Sequence, residues 1–384
     1  MNRYYFDHAA TTPVAPEVIK VITDSLTNDF GNVSSTHFFG QREKLKLRNA
    51  RKVMADEIHA DLNEIYFTSG ATESNNTVIR QVALKRANEG RHLITTSVEH
   101  PSVLNVMKYL SEHGYEVTFL PVNDTGAINL NDLKNALRPD TILVSIMAAN
   151  NETGSLMPIK EIGKTLKDHT AWFHVDATQA LGIEAIDVKE LNIDFLSVSA
   201  HKIYGPKGIG FLYKNQKLVI PPLLLGGEQE NKFRAGTTNL PLIMGFEAAM
   251  KLCTPKNEQE WAIIYREYKQ IIIDELKNSG IEFEINGDLD HSLPQTINLW
   301  LKDIPSQVLI PRLDLDGFAV SAGSACTAGS AEDSHVLLAM YPDNLKRVRE
   351  SIRISFGRDN NKNDVVKLAE ELVKQVTHLK QKGQ

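Results

Sequence analysis

The feature that most constrains the fold is a regular alternation of short β-rich runs with helical stretches. Seven such runs lie at 65–67, 92–96, 117–120, 142–146, 172–176, 195–199 and 209–213. Helical spacing separates most of them, as over 75–88 and 159–166. This alternation predicts an α/β fold with a mostly parallel seven-stranded sheet covered by helices. Ligands bind such sheets beyond the carboxyl ends of the strands, so the residues after each run are the functional candidates.

The pattern changes after residue 245, where helical stretches become longer. Two helical stretches and two β-like pieces follow, at 258–279, 365–379, 281–285 and 296–301. The last helical stretch carries one apolar stripe, formed by Val365, Leu368, Leu372, Val376 and Leu379. We therefore predict a second, smaller α+β domain. The large domain is expected to cover 16–250, and the small domain to combine 1–15 with 251–384.

Composition narrows the possible partners and compartment. The 384 residues carry 42 Lys+Arg against 48 Asp+Glu, a net charge of −6, so no basic excess favours nucleic acid or an anionic membrane. The chain starts without an apolar signal core and has no run approaching the roughly 18 apolar residues of a membrane span. Two cysteines, Cys253 and Cys326, form no disulfide framework. We expect a cytoplasmic protein with no direct nucleic-acid or membrane partner and no resident metal.

The first strand ends offer polar side chains and a phosphate-binding turn. A hydroxyl-rich turn over 68–76 follows the first run and leads into a helix, an arrangement that suits a phosphate, although simple N-capping explains it as well. His100 follows the second run, just before a helix that starts with proline. Asn150 and Asn151 lie in the loop after the run at 142–146, where turn formation alone would also account for them.

The later strand ends carry an acid and a lysine. Asp176 ends an apolar strand and Gln179 follows three residues later, although a helix N-cap is an alternative role for this acid. The run at 195–199 delivers Ser199, His201 and Lys202 into a loop rich in Gly and Pro. A lysine there, where solvent access is limited, is suited to form a Schiff base, and the alternative is a plain surface lysine.

These residues together match what a pyridoxal phosphate (PLP) site requires. Such a site needs a bonding lysine, an acid at the ring nitrogen, a flat side chain against the ring, a donor to the ring hydroxyl and a phosphate cup. The chain supplies, in that order, Lys202, Asp176, His100, Gln179 and a cup of Thr72, Ser199 and His201.

At this point the chain resembles the cysteine desulfurases of the NifS and IscS type, class V aminotransferase-like enzymes of PLP fold type I. The resemblance runs nearly end to end and rests on the motifs at 7–12, 69–76, 99–100, 150–154, 174–179, 199–202, 234–237, 324–327 and 351–353. It implies cofactor-binding roles for Ala71, Thr72, His100, Asn151, Asp176, Gln179, Ser199, His201, Lys202 and Thr237. Asn151 and Arg353 match the positions that bind the substrate carboxylate. Thr237 matches a residue that reaches the cofactor phosphate of the neighbouring subunit, which implies a homodimer.

The resemblance also implies the reaction and its catalytic residues. Lys202, His100 and Cys326 are the implied catalytic residues, and Cys326 is the nucleophile that takes sulfur from L-cysteine as a persulfide while L-alanine leaves. The loop 320–330 around Cys326 is polar and contains glycine, unlike the surroundings of a buried packing cysteine. Its Ser-Ala-Cys-Thr sequence resembles the first of the family's two groups. Cys253, on an apolar helical stretch, is expected to be a packing residue.

The sulfur acceptor stays open between an iron–sulfur scaffold and a tRNA-thiolating enzyme. The sequence lacks the extra segment after its last helix by which housekeeping members of the family dock a scaffold. At most a transient cluster would involve Cys326 as a ligand. Alternative functions are a selenocysteine lyase, another class V PLP enzyme, a different α/β enzyme with a phosphate-bearing cofactor, or a non-catalytic binding protein.

Overall fold

The computed structural model describes residues 2–323 and 333–382. The strands are β1 Tyr4–Tyr5, β2 Ile65–Thr68, β3 His92–Thr96, β4 Glu116–Leu120, β5 Thr141–Met147, β6 Trp172–Asp176, β7 Phe195–Ser199, β8 Gly210–Lys214, β9 Phe283–Ile285, β10 Thr296–Leu301, β11 Phe318–Ala319 and β12 Ser351–Ser355. The helices are α1 Pro16–Asn28, α2 Phe38–Glu57, α3 Ala71–Arg86, α4 Pro101–Glu112, α5 Leu130–Ala136, α6 Ile159–Leu166, α7 Gln229–Lys232, α8 Leu240–Met250, α9 Pro255–Asn278, α10 Ser306–Leu315, α11 His335–Met340, α12 Leu345–Arg349 and α13 Lys362–Lys382.

Seven strands form the main sheet in the order β2-β8-β7-β6-β5-β3-β4. The pairs among β3, β4, β5, β6 and β7 are parallel, and only β8 runs antiparallel, to both β2 and β7. Every residue of β3, β5 and β7 is buried, which requires apolar cover on both faces of the sheet. The mostly parallel seven-stranded sheet predicted from the sequence is therefore confirmed.

Two helices begin earlier than their apolar spacing indicates. Helix α3 starts at Ala71 rather than near 75, because the hydroxyl-rich turn itself forms the first helical turn. Helix α9 starts at Pro255, since the Thr254 hydroxyl accepts a hydrogen bond from the Asn257 amide and proline fits the first helical position. Capping explains the start of α9, whereas the polar first turn explains that of α3, and apolar periodicity reports neither feature.

A second apolar core lies in the C-terminal part of the chain. The antiparallel sheet β12-β10-β9 packs with helices α9 and α13, and Leu299, Ile354 and Leu372 are fully buried there. The apolar stripe predicted for the last helix belongs to this core, with Leu379 partly buried at its edge. The domain boundaries at 15/16 and 250/251 stay predictions.

Tyr4–Thr12, here called the N-terminal segment, connects this second core with the main sheet. Strand β1 pairs in parallel with β11, Phe6 is buried in the second core, and Asp7 forms a bridge with Ser355 of β12. The segment then runs to the carboxyl end of the main sheet, where the Thr12 amide donates to the carbonyl of His201 over 3.0 Å. The N-terminus therefore contacts both cores of the molecule.

The cysteine expected to serve in packing does so. Cys253 is 3% exposed, belongs to the core under the main sheet, and donates its thiol to the Ala249 carbonyl over 3.7 Å. In the second core, helices α9 and α13 pack against each other. Within the described ranges, no helix combines the length and the apolar character needed to cross a bilayer.

Candidate active site

A cavity of about 210 Å³ lies at the carboxyl ends of the main-sheet strands. The predicted site residues that line it are Ala71, Thr72, His100, Asn151, Asp176, Gln179, Ser199, His201, Lys202 and Arg353. Thr237 is exposed and is absent from this lining. Cys326 lies outside the described residues. The strand-end rule therefore brings together residues from five separate stretches of sequence, at the ends of β2, β3, β5, β6 and β7, and Arg353 joins them from β12.

Asp176 presents a buried carboxylate to this cavity. It is the last residue of β6 and is 6% exposed. Its Oδ2 accepts a hydrogen bond from Asn75 Nδ2 over 2.7 Å, and its Oδ1 accepts one from the Thr178 amide over 3.0 Å. Both donors are neutral, and no ion pair to this carboxylate occurs in the part of the chain that the structure describes. A cationic group in the cavity would supply the charge that this acid lacks.

His100 is held by a hydrogen-bond chain that starts at the same asparagine. Asn75 Nδ2 also donates to Ser102 Oγ over 2.8 Å, and Ser102 Oγ lies 2.8 Å from His100 Nδ1. An amide nitrogen only donates, so the serine proton points to His100 Nδ1, which also accepts from the Ser102 amide. The neutral imidazole therefore carries its proton on Nε2.

The charge of His100 follows from its surroundings. Burial lowers the pKa of His100 below its ordinary value, and the Asp176 carboxylate opposes that shift. The imidazole is therefore neutral at pH 7, with an acceptor at Nδ1 that is already engaged and a donor at Nε2. This form suits a ring that packs against a cofactor and passes single protons.

Lys202 lies against the N-terminal segment. It ends a short 3₁₀ turn directly after β7, and its Nζ donates to the carbonyls of Ala9 and Ala10 over 2.5 and 2.8 Å. Gln179 Nε2 donates to the same Ala9 carbonyl over 3.0 Å. Sequence reasoning missed these two alanines, because their contribution is made by backbone oxygens rather than by a reactive side chain.

The opposite end of the cavity meets the start of α3. The Ser199 hydroxyl accepts a hydrogen bond from the Ala71 amide over 2.8 Å, and Gly70, with a φ of 147°, precedes the helix. A Cβ at Gly70 would lie 3.2 Å from Ser199 Oγ, so glycine permits both the backbone conformation and this close approach. A helix N-terminus with nearby hydroxyls is an anion-binding arrangement.

His201 borders the same region as a neutral ring. Its Nδ1 lies 3.1 Å from the Thr11 hydroxyl of the N-terminal segment. Burial, together with the positive charges of Lys202 and Lys207, lowers the pKa of His201 to about 4. The ring therefore offers a neutral donor to an anion rather than a positive charge.

The motif over 234–237 is fixed to the start of α3 by an ion pair. Arg234 donates through Nε and Nη2 to the two carboxylate oxygens of Glu73, over 2.8 and 3.0 Å. Glu73 also accepts from the Ser69 amide over 2.9 Å. Thr237 is thus carried by a loop that is tied to the anion-binding turn, although Thr237 itself is exposed and does not line the cavity of its own chain.

Arg353 closes another side of the cavity from β12. The side chain is 1% exposed, and its Nη1 donates to the Asn151 carbonyl over 2.8 Å. Its Nη2 donates to Asp7 Oδ1 over 2.6 Å. The arginine that the sequence assigns to substrate binding therefore has an acidic partner that the sequence analysis did not identify.

Glu152 contacts both ends of the stretch that contains Cys326. It is 1% exposed, and its Oε2 accepts a hydrogen bond from Ser334 Oγ over 2.5 Å. A Cβ built on Gly323 would lie 3.0 Å from the same oxygen. His335, next along the chain, donates from Nε2 to the Glu99 carbonyl over 2.9 Å. The described residues on either side of 324–332 thus lie against the loops that follow β3 and β5.

Comparisons with known proteins identify the family of the chain. A family model described as "Aminotransferase class-V" matches residues 4–368. The chain belongs to the class V aminotransferase family. Within this family, the IscS 1 protein of Bacillus subtilis (strain 168) is 46% identical over 99% of this chain and 100% of that protein. The cysteine desulfurase IscS of Methanosarcina thermophila is 43% identical over 95% of this chain and 90% of that protein.

Two solved structures of the family share the fold over most of their length. A NifS-like protein superposes with a TM-score of 0.91 at 34% identity, covering 98% of this chain and 100% of that one. A structure described as "SspA in complex with cysteine" gives a TM-score of 0.80 at 37% identity, covering 92% of this chain and 98% of that one. Membership of the class V family through NifS-like and IscS relatives, expected from the motifs, is thereby confirmed.

Proposed function

We propose that the protein is a PLP-dependent cysteine desulfurase, which converts L-cysteine to L-alanine and keeps the sulfur as a persulfide on Cys326. The observation that carries this proposal is the cavity that brings Lys202, Asp176, His100 and Arg353 together in a class V chain. Relatives named cysteine desulfurase align over nearly the whole sequence, and a structural neighbour is described in complex with cysteine.

The residues at the centre of the cavity fit PLP. The Asp176 carboxylate is buried with neutral donors only, so it suits a protonated ring nitrogen, and Lys202 provides the primary amine that bonds the cofactor. When bound, PLP withdraws electrons from the substrate Cα and so makes its proton acidic. His100 would pack against the ring, and Gln179 would donate to the ring hydroxyl.

The phosphate would lie at the start of α3. Ala71, Thr72, Ser199 and His201 line this end of the cavity. The amides of the first helical turn, the hydroxyls and the neutral His201 ring are all donors to an anion. Thr237 of a second copy of the chain would complete the phosphate cup, which makes the active form a homodimer.

The substrate would be held by its carboxylate and deprotonated at Cα. Arg353 and the Asn151 side chain bind the carboxylate, since a guanidinium offers a planar fork of donors. Lys202 Nζ takes the Cα proton and returns a proton to the product. His100 Nε2 exchanges protons with the substrate thiol or with the Cys326 thiol.

Sulfur transfer completes the reaction. The Cys326 sulfur attacks the substrate sulfur, the Cβ–S bond of the substrate breaks, and a new S–S bond forms on Cys326. L-cysteine and the Cys326 thiol thus become L-alanine and the Cys326 persulfide, with no external oxidant or reductant. The Ser-Ala-Cys-Thr sequence around Cys326 supports the first group of the family.

The persulfide would then pass to an acceptor protein in the cytoplasm. An iron–sulfur scaffold or a tRNA-thiolating enzyme fits this role, because both consume sulfur at this oxidation state. The IscS names of the relatives support the iron–sulfur route.

The direct test is L-alanine formation from L-cysteine with a thiol reductant, comparing the wild type with Lys202→Ala and Cys326→Ala. We expect alanine from the wild type only. Cys253→Ala is the matched control, because Cys253 is buried and burial raises the pKa of its thiol to about 11. This control should retain wild-type turnover.

Activity on selenocysteine distinguishes the proposed cysteine desulfurase from its nearest alternative, a selenocysteine lyase. If Cys326→Ala keeps full activity on L-cysteine, or if only selenocysteine reacts, the persulfide step is wrong and the protein is a lyase. Absence of a cofactor absorbance that depends on Lys202 would contradict PLP chemistry altogether.

A further inference from the structure

We infer that Asp7 is a positioning residue that fixes the Arg353 guanidinium in the orientation that binds the substrate carboxylate. The inference rests on the proposed function, in which Arg353 binds that carboxylate. Asp7 itself is absent from the cavity lining, so it acts through Arg353.

The backbone brings the two side chains together. The N-terminal segment runs beside the end of β12, where the Ser355 amide donates to the Phe6 carbonyl over 2.8 Å. The Ala9 amide returns a hydrogen bond to Ser355 Oγ over 2.8 Å. Arg353 lies two residues before Ser355, so both point to the same face of the strand. The bridge between Asp7 and Ser355 therefore places the carboxylate beside the guanidinium.

Two of the three guanidinium nitrogens are fixed by the protein. Nη2 donates to Asp7 over 2.6 Å and Nη1 donates to the Asn151 carbonyl over 2.8 Å. Nε is buried and has no partner among the described residues. A guanidinium has five N–H donors in one plane, so these two contacts determine where the remaining donors point. The ligand for those donors is a carboxylate that enters the cavity.

The charges support the same assignment. The Arg353 side chain is 1% exposed and the Asp7 side chain is 18% exposed. Among the described residues, Asp7 is the acid that forms an ion pair with Arg353. A buried guanidinium without a counter-charge is costly, so Asp7 keeps the cation in place before substrate arrives. Tyr5 supports the backbone of this turn, because its hydroxyl lies 2.9 Å from the carbonyl oxygens of both Asp7 and Thr11 and offers them its one proton.

The test uses the holoenzyme with Asp7→Ala and Asp7→Asn. We expect Asp7→Ala to raise the KM for L-cysteine about tenfold while kcat changes less than about twofold, because the lost contact acts on carboxylate binding. Asp7→Asn keeps an oxygen acceptor of the same shape and should recover part of the affinity. Cysteamine, which lacks the carboxylate, should bind both variants as it binds the wild type. Asp359→Asn is the matched control, since this acid is 49% exposed beside His8.

A double-mutant cycle with Arg353→Ala tests whether Asp7 acts through the arginine. Asp7→Ala should add nothing in the Arg353→Ala background. A further tenfold loss in that background, or an unchanged KM in the single variant, would overturn the inference. Equal weakening of cysteamine binding would also overturn it, since that result indicates a general structural role.

The binding of L-alanine, measured by calorimetry, tests the role of Asp7 independently of the proposed function. L-alanine carries the same carboxylate and requires no turnover, so its Kd should also rise about tenfold in Asp7→Ala. If the wild type makes no alanine from L-cysteine, the proposed function fails while this binding result still decides the role of Asp7. An unchanged Kd for L-alanine would contradict the role of Asp7 whatever the enzyme catalyses.

Discussion

The two walls of the cavity are built in different ways. On the sheet wall, where His100, Ser102 and Asp176 line the cavity and Asn75 supports them, side chains hydrogen-bond to one another. The N-terminal wall consists of Arg353 and the segment Asp7–Thr12, of which Ala9 and Ala10 line the cavity. There, backbone carbonyls hold Lys202, and an ion pair with Asp7 holds the arginine from outside the lining. Under the proposed function, the sheet wall would set the position of protons and the charge opposite the cofactor ring nitrogen, whereas the N-terminal wall would position the two cations that meet the substrate.

The walls also differ in how far apart their partners lie in sequence. Asn75 and Asp176 are 101 residues apart, Ala10 and Lys202 are 192 apart, and Asp7 and Arg353 are 346 apart. The sheet wall depends on the packing of one sheet. The N-terminal wall depends on contact between the two ends of the chain. Substitutions in the two walls should therefore have different effects on turnover, stability and ligand binding.

Removing the charge of the sheet wall should have the greatest effect. Asp176→Asn keeps the shape but loses the anion that, in the proposed function, would face the cofactor ring nitrogen, and we expect kcat for alanine formation to fall on the order of 100- to 1000-fold. Asp194→Asn is the matched control, because this half-buried acid lies at the opposite end of the same sheet, before β7, and accepts from the Phe173 amide over 2.9 Å. Equal losses in the two variants would show that the sheet wall has no special electrostatic role.

The carboxyl group of Glu99, next to His100 in the sequence, should make the free energy of unfolding depend on pH. Its Oε1 accepts from the Met147 amide and the Thr96 hydroxyl, its Oε2 is buried without a partner among the described residues, and Asp176 is close by. Burial raises the pKa of Glu99 from 4.5 to about 8. The folded state therefore holds a proton that the unfolded state releases as the pH rises above 4.5.

The free energy of unfolding should consequently fall in the wild type relative to Glu99→Gln as the pH rises from about 5 to 8. The loss should be on the order of 3 kcal/mol and should level off above the folded pKa. Urea unfolding of both proteins across this range measures the difference. A difference that does not change with pH would contradict a proton on Glu99.

Asn75 connects the two functional groups of the sheet wall. Asn75→Ala removes the donor to Asp176 and to Ser102, and we expect a loss of about tenfold in kcat, since each group loses one buried hydrogen bond. Asn76→Ala is the matched control, because this neighbouring residue is half-buried and its side-chain amide donates to the Thr72 carbonyl over 3.0 Å rather than to Asp176 or Ser102. If both variants lose activity equally, the hydrogen-bond chain does not matter and the start of α3 is simply sensitive to change.

Thr11→Ala is the substitution on the N-terminal wall with the smallest expected effect. Thr11→Ala removes the hydroxyl that lies 3.1 Å from His201 Nδ1 and leaves the carbonyls that hold Lys202 unchanged. We expect the Kd for PLP to rise less than about fivefold, with kcat of the saturated enzyme unchanged. Thr27→Ala, at an exposed hydroxyl on α1, controls for a general effect of losing a threonine. A large fall in kcat would show that the N-terminal wall also acts on the chemical step.

Much of the sheet wall was predictable because two simple rules coincide there. The alternation of strands and helices predicts a parallel sheet, and the carboxyl ends of its strands meet at one edge. Asp176 and Ser199 each end a strand, His100 and Lys202 follow a strand within four residues, and all of them line the cavity. Asn75 lies in a motif that the sequence analysis used only for a phosphate, so its bond to Asp176 was not anticipated.

The N-terminal wall could not be predicted by these rules. Asp7 and Ala9 precede the first predicted strand of the sheet, and no periodic pattern relates them to β12 or to Lys202. The motif over 7–12 contributes to the family resemblance, but its physical role comes from backbone carbonyls and from one carboxylate. Backbone acceptors have the same chemistry in every residue, so a sequence does not mark which of them will hold a lysine.

The sequence by itself determined the class of fold, the presence of the sheet and the side chains at its carboxyl edge. Apolar periodicity and the alternation of strands with helices along the chain are local properties, so they can be read from the sequence. Only the tertiary structure decided that Asp7 pairs with Arg353, that Ala9 and Ala10 hold Lys202, and that Asn75 joins His100 to Asp176. These contacts join residues far apart in the chain, and their partners are chosen by packing and by the need to satisfy buried charges and polar atoms.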